Sequence, residues 1–333
     1  MKIHFINVGY GEAILVERNG YTILIDGGTG REEEYEAPGC IRAVDYLKKA
    51  GIERLDLIIA THIHDDHIGG IPEVIRNFDV DQIWINVKPG KMDMDKLERF
   101  ETVIAGNLSS TLFRNALASY GELIDECGKR GIPILQKGKE DGSFAPQKDF
   151  TIELLSPDGE LQAEVLDLYR RLLEETDLKN AEALFREIDK GTNRSSISLR
   201  IKAGNAAAML SGDKVDGWED IHTEYGNALE SQILKLTHHG QKDGMPQAMI
   251  AVSQPQFFVI CASSDRRFNS AHPEIIQRAN DYLRERGRKG GVYITGCLKP
   301  GGEKLPQHGG EICSVWFSCN EETGEISTGY TAL

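Results

Sequence analysis

Three histidines and two aspartates crowd into Thr61-His62-Ile63-His64-Asp65-Asp66-His67-Ile68-Gly69-Gly70. Imidazole and carboxylate together suit zinc, manganese or iron, and the absence of cysteine from the stretch argues against a structural Cys-rich zinc site. His62 and His64, two residues apart, can point the same way and hold one ion. Asp66 and His67 can hold a second ion beside it. A solvated polar turn is the plainer reading, but helix capping accounts for one aspartate and for none of the histidines.

The elements around this stretch decide whether its side chains can converge. Leu55 to Ala60 is a short apolar run of strand type, and Ile71, Val74, Ile75 and Phe78 recur at helical spacing. The histidines therefore sit on a loop from a buried strand into a helix. Three more strand patterns end in residues able to join them. Tyr21 to Ile25 ends in Asp26, Ala206 to Leu210 ends in Ser211-Gly212-Asp213, and Ile233 to Thr237 ends in His238-His239-Gly240. Asp213 is well placed to bridge two ions. Alone it would be an ordinary turn aspartate, but beside a histidine-rich loop it becomes a ligand candidate, as does His239. His272 precedes Pro273, a residue suited to the first turn of a helix, so it reads either as a second catalytic imidazole or as a helix-start residue. His4, His222 and His308 carry no such pattern, and Tyr10 and Glu12 either support the loop or reach the site.

The 333 residues are ample for a buried core, and the composition (40% hydrophobic, 27% charged) is that of a globular chain. The formal net charge, 38 − 52 = −14, disfavours extensive contact with nucleic acid or an anionic membrane. It leaves room for a small or medium anionic substrate, because bound divalent ions reverse the local field. A nucleic-acid reading would need a basic face, for which Arg266, Arg267, Arg284, Arg286, Arg288 and Lys289 are the candidates. No run approaches membrane-spanning length, and Met1 to Phe5 lead directly into a strand without a signal-like apolar core. The six cysteines are scattered with no CxxC pair. A cytoplasmic location with reduced thiols is expected.

Strands alternate with helices along the chain, with antiparallel meanders at both ends, which predicts two packed sheets with helices outside. The chain is expected to form one domain over 1–333 with helical insertions at about 89–131 and 157–191. Leu108 to Arg130 and Leu161 to Asp189 carry the helical spacing. These insertions read either as a wall or lid over the loop or as a structural elaboration, including a homodimer contact.

His62-x-His64-x-Asp66-His67, with Gly212-Asp213 and His239-Gly240 far downstream, resembles the metallo-β-lactamase-fold hydrolase superfamily. Val8-Gly9-Tyr10-Gly11-Glu12-Ala13-Ile14, Ile23 to Gly28, Asn193 to Leu199, His238-His239-Gly240 and His272-Pro273 sharpen the likeness. Together they resemble the branch that contains the hydrolase domain of the competence DNA-uptake channel and the phosphorylcholine esterases of teichoic acid. The resemblance implies a four-layered αββα sandwich with the metal site at one edge of its two sheets. Carried over residue by residue, it implies that His62 and His64 bind one ion, that Asp66, His67 and His239 bind a second, and that Asp213 bridges the two. His238 would then contact the substrate, although the roles of the two adjacent histidines are exchangeable. One departure stands out. The superfamily supplies a third histidine to the first ion from between the motif and the bridging aspartate, and no histidine occurs between His67 and Asp213. Asn193 lies near that place, and an amide oxygen is the weaker donor. The first site is accordingly weak, adapted to a harder ion such as manganese, or empty.

Two adjacent divalent ions, zinc or manganese, acidify water and polarise the electrophilic oxygen of a substrate. Asp66 would orient the attacking water. His238 and His272 would stabilise developing charge, with Asn193 beside them on the substrate. The expected activity is metal-dependent hydrolysis of a phosphodiester or other phosphoester. Hydrolysis of a carboxylic ester, lactone or thioester is the alternative chemistry. A non-catalytic, metal-stabilised interaction protein is the alternative class.

Overall fold

The computed structural model describes residues 1–93, 95–99, 107–296 and 313–331. Cys297, His308 and Ile312 lie outside them.

The first sheet begins as the expected meander. Strands β1 (Lys2–Phe5), β2 (Ile14–Arg18) and β3 (Tyr21–Ile25) run antiparallel. A parallel half follows through β5 (Leu57–Ala60), β7 (Ile83–Ile85) and β8 (Ile134–Gln136). Two late antiparallel strands, β16 (Ser314–Cys319) and β17 (Ile326–Thr331), close it on the β1 side, so its order is β17-β16-β1-β2-β3-β5-β7-β8. The two-residue strands β4 (Arg54–Leu55) and β6 (Asp79–Val80) pair with each other alone. The second sheet joins β9 (Ser143–Gln147), β10 (Phe150–Ser156), β11 (Ser198–Ala203) and β12 (Ala206–Leu210) in antiparallel register. It continues in parallel through β13 (Ile233–Lys235), β14 (Phe257–Ile260) and β15 (Gly291–Ile294).

Alternation along the strands builds the layers, because successive side chains face opposite sides of a sheet. On β5, Leu57 and Ile59 point between the sheets, where they meet Ile152, Leu199, Ile201 and Ile233 of the second sheet. Ile58 and Ala60 point outward onto α1 (Ala43–Lys49) and α3 (Ile71–Asn77). On the far side, Leu234, Phe258 and Ile260 turn outward onto α7 (Trp218–Tyr225), α8 (Gln247–Ser253) and α9 (Pro273–Glu285). The result is the αββα sandwich. Each fully buried Leu, Ile or Phe in these layers contributes roughly 1.5–3 kcal/mol over its exposed state.

The helical insertions pack on the first sheet's outer layer, beside the histidine loop. Helix α4 (Leu108–Arg130) starts on an Asn107 cap and ends at Gly131 in the left-handed region. The run expected as one helix from Leu161 to Asp189 is two, α5 (Gly159–Glu174) and α6 (Leu178–Thr192). Local polar competition makes the break. The Glu175 carboxylate accepts from the backbone of Thr176 and Asp177, and the Asp177 side chain then caps α6 through Lys179 N and Asn180 N. Phe113 of α4 packs against Phe185 of α6 at 4.8 Å and Tyr169 of α5 at 6.5 Å between ring centroids.

The histidine loop forms the short helix α2 (Asp65–Ile68), which runs through Gly69-Gly70 into α3. The two glycines are dictated by crowding against the loop after β3. A Cβ on Gly70 would lie 2.1 Å from the Gly27 carbonyl oxygen. Gly70→Ala is therefore expected to destabilise the fold by roughly 1–3 kcal/mol, the range for forcing atoms into a packed interior. Chemical denaturation checks it, and an unchanged midpoint would show that the two loops do not need this approach.

Candidate metal centre

Every residue of the centre leaves the carboxyl end of a strand. Asp26 follows β3, the histidine loop follows β5, Asp213 follows β12 and His238-His239 follow β13. The two sheets face each other across this edge, so loops distant in sequence meet there.

Four imidazoles share one design, in which one ring nitrogen is tied to the scaffold and the other is aimed at the centre. His67 Nδ1 lies 2.7 Å from Asp26 Oδ2, and its Nε2 lies 3.2 Å from Asp213 Oδ2 with no hydrogen bond formed. His239 Nδ1 donates to the Cys261 carbonyl at 2.8 Å, and its Nε2 lies 3.0 Å from Asp66 Oδ2 and 3.1 Å from Asp213 Oδ2. Thr61 Oγ1 donates to Asp26 Oδ2 at 2.7 Å and so accepts from His62 Nδ1 at 3.1 Å. His64 Nε2 meets the Asp189 backbone oxygen at 3.2 Å. These partners assign the tautomers. They leave His62 Nε2 and His64 Nδ1 as bare lone pairs facing each other at 3.1 Å. Two converging lone pairs repel unless a cation or proton lies between them.

Ligand atoms of Asp66, His67, Asp213 and His239 all lie within 4.8 Å of one another. His62 adjoins this group, its ring centroid 4.1 Å from that of His67 and 4.8 Å from that of His64. Asp213 Oδ1 and Asn193 Oδ1 are buried oxygens without a hydrogen-bond partner. Such orphaned acceptors are rare in a folded interior, and they suit divalent ions as ligands. His62, His64, Asp66, His67, Asp213 and His239 are thus brought together from three separate loops.

The remaining sequence candidates divide. His238 faces the neighbouring cavity, with Nδ1 2.8 Å from Asp243 Oδ1 and Nε2 between the amides of Asn193 (3.3 Å) and Gln241 (3.2 Å). Asn193 lines the same cavity. His272 does not join the group. Its Nδ1 accepts from Glu274 N at 3.2 Å as the cap of α9, because Pro273 fixes the helix start one residue later. Tyr10 does reach the site, with its ring 4.6 Å from that of His239. The basic strip is partly spent in ion pairs, Arg267 with Glu34 and Asp265, and Arg284 with Asp281. No disulfide links the five described cysteines.

Sequence reasoning missed a buried ion pair beneath the centre. Lys235, wholly buried on β13, pairs with Glu12, lies 3.6 Å from Asp213 Oδ1 and donates to the Gly212 carbonyl at 2.7 Å. The available signal was a lysine inside the run Ile233-Leu234-Lys235-Leu236, on a central strand covered on both faces. Burial pulls the Lys235 amine down, but Glu12 and Asp213 outweigh it and hold the group protonated. The charges of buried Asp26, Asp213 and Glu12 and of half-buried Asp66 against Lys235 sum to −4 + 1 = −3 with neutral imidazoles. A site with this balance demands cations. Without them protons serve. Burial lowers His67 and His239, yet the aspartates around them prevail, raising His67 well above its ordinary value and His239 to about 9. His62, by contrast, is pushed well down by burial and by His67 and His64, and stays neutral. Burial alone would raise Asp66, but His67 and His239 bring it to about 2.

An αββα sandwich with a histidine- and aspartate-lined edge defines the class, a metal-binding hydrolase fold. The family model described as the metallo-beta-lactamase superfamily matches residues 6–152, and over that stretch the chain is similar to that superfamily. Among curated proteins it is similar to ComE operon protein 3 of Bacillus subtilis, 23% identical over 288 residues, covering 83% of this chain and 30% of that one. It is similar to Ribonuclease Z of Bradyrhizobium diazoefficiens, 36% identical over 86 residues, covering 25% of each chain. It is also similar to Competence protein ComA of Neisseria gonorrhoeae, 35% identical over 82 residues, covering 24% of this chain and 12% of that one. The chain spans less than a third of the length of each of these relatives. The superfamily is hydrolytic and metal-dependent, and the competence-related likeness agrees with the motifs of the opening strands.

The protons on His67 and His239 give the metal affinity a definite pH dependence. An ion that takes either Nε2 must expel the proton held there. Apparent affinity is therefore expected to rise with pH by about tenfold per pH unit for each proton displaced, the His239 contribution levelling off above about 9. Calorimetric titration of the metal-free protein in buffers of different ionisation enthalpy would count the protons released. A pH-independent affinity with no proton release would contradict this arrangement.

Proposed function

We propose that the chain is a two-metal hydrolase of phosphodiesters of modest size. The observation that carries the reading is the convergence of four imidazole nitrogens with Asp66 and Asp213 beside a cavity of about 380 Å³. His62 Nε2 and His64 Nδ1 would hold one ion, and Asp66, His67 and His239 the other, with Asp213 reaching both. Zinc or manganese bound there would supply water acidified toward neutrality and a Lewis acid for the substrate's oxygens.

The chain's own residues supply the rest. Asp66 stands between the centre and the cavity, where its carboxylate can orient the attacking water. His238, held by Asp243, forms with Asn193 and Gln241 a polar patch on which non-bridging phosphoryl oxygens can rest. Phe113 of α4 and Asp189 and Lys190 of α6 line the cavity, so the insertions act as substrate wall. Tyr10 and Phe268 complete an aromatic side, with ring centroids 5.1 Å apart, which suits a substrate carrying a flat apolar group. Lys190 is the one lysine or arginine among the lining residues, enough for a singly charged diester and poor for a polyanion. The likeness to a protein named Ribonuclease Z supports phosphorus over carbon as the centre attacked. A cytoplasmic setting belongs to this reading, and the scattered cysteines without a CxxC pair accord with it.

Purified protein loaded with manganese or zinc is expected to turn over bis(4-nitrophenyl) phosphate, and Asp66→Ala to reduce the rate to background. Inactivity on phosphodiesters alongside clear cleavage of a lactone or thioester would reject the phosphoester assignment.

A further inference from the structure

Three of the four imidazoles are tied down by the sandwich itself: His62 by Thr61, His67 by Asp26, His239 by the Cys261 carbonyl. His64 is the exception. Its Nε2 reaches out of the sandwich to α6, 3.2 Å from the Asp189 backbone oxygen and 3.4 Å from Asp189 Oδ1. The carboxylate is itself clamped, since Ser109 Oγ at the start of α4 donates to Asp189 Oδ2 at 2.5 Å. Phe113, one turn along α4, sets its ring edge-on to His64 with centroids 5.9 Å apart. The inserted helices therefore converge on one imidazole from two directions.

A carboxylate or carbonyl on the outer nitrogen of a metal-binding histidine fixes the tautomer and ring orientation and raises the basicity of the inner nitrogen. His64 receives both kinds of acceptor from a single residue. Its inner nitrogen, Nδ1, is the one that faces His62 Nε2. This is also the ion position that lacks a third imidazole, where each remaining ligand bears more of the binding.

We propose that Asp189 is the positioning residue of His64, and that helices α4 and α6 are thereby an integral part of the first ion's site. The inference rests on the two-metal reading above. It makes Asp189 a determinant of that ion's affinity, acting through His64, with no ligand role of its own.

The test compares Asp189→Asn and Ser109→Ala with the unaltered chain. Glu187→Gln, an exposed change on the same helix, is the control. Metal content after dialysis and chelator competition gives the affinity of each site, and the visible spectrum of the cobalt-loaded protein reports the ligand field. The unaltered chain is expected to hold two ions. Asp189→Asn should weaken one site roughly 10–100-fold, the usual effect of losing such a partner, with the other unchanged. Ser109→Ala should move the same site by less, and it carries the test if Asp189→Asn loses its fold by circular dichroism. Glu187→Gln should match the unaltered chain. Two ions bound as tightly in Asp189→Asn as before would overturn the inference alone. Equal weakening of both sites would reassign Asp189 to a general structural role and overturn it too. An unaltered chain that takes up no divalent ion would overturn the two-metal reading and this inference together.

Discussion

Buried negative charge at one sandwich edge is the constraint on which the rest depends. Four carboxylates and one ammonium cannot rest in a nearly dry interior without further positive charge, and the geometry directs where that charge must sit. The imidazoles are anchored on their outer sides, so their inner lone pairs have a single place to point. The carboxylates fill the gaps between them. Protons on His67 and His239 and divalent ions are competing answers to one electrostatic demand.

The fold meets this demand through its parallel halves. In each sheet the strands beside the centre run the same way, so their carboxyl ends open on one edge and the loops there can exchange partners. Asp26 hands its two oxygens to Thr61 and His67, coupling the first meander to the histidine loop. Cys261, at the end of β14, supports His239 from the second sheet. The glycine approaches between the loops after β3 and β5 let these elements close without side chains between them. Helices α4 and α6 then complete the cavity from outside the sandwich, which joins the recognition of substrate to the support of His64.

Much of this was legible in the sequence because its signals are local. The histidine loop, Asp213 and His239 each follow an apolar strand, and the strand-helix order with meanders at both ends predicts the two-sheet layering. What stayed hidden depends on partners far apart in sequence. Lys235 reads as an ordinary polar residue until β13 is seen covered on both faces, with Glu12 lying 223 positions earlier. Asp189 reads as one more charge on an amphipathic helix until α6 is seen against His64. His272 read either as a second catalytic imidazole or as a helix-start residue, and it stands as the cap of α9 with Pro273 in the first turn. Strands β9 and β17 are both sheet edges, where partial exposure erases the apolar alternation and a proline such as Pro146 is tolerated. The division of α5 from α6 turned on side-chain capping by Glu175 and Asp177, which interrupts helical spacing without changing it.

The most direct test of the account is a crystal structure of the zinc- or manganese-loaded protein with anomalous scattering recorded at the absorption edge of that metal. The account predicts two peaks at the sandwich edge, one between His62 Nε2 and His64 Nδ1 and one among Asp66, His67 and His239, with Asp213 between them. A metal-saturated crystal with no peak at that edge, or with its ions bound elsewhere, would contradict it.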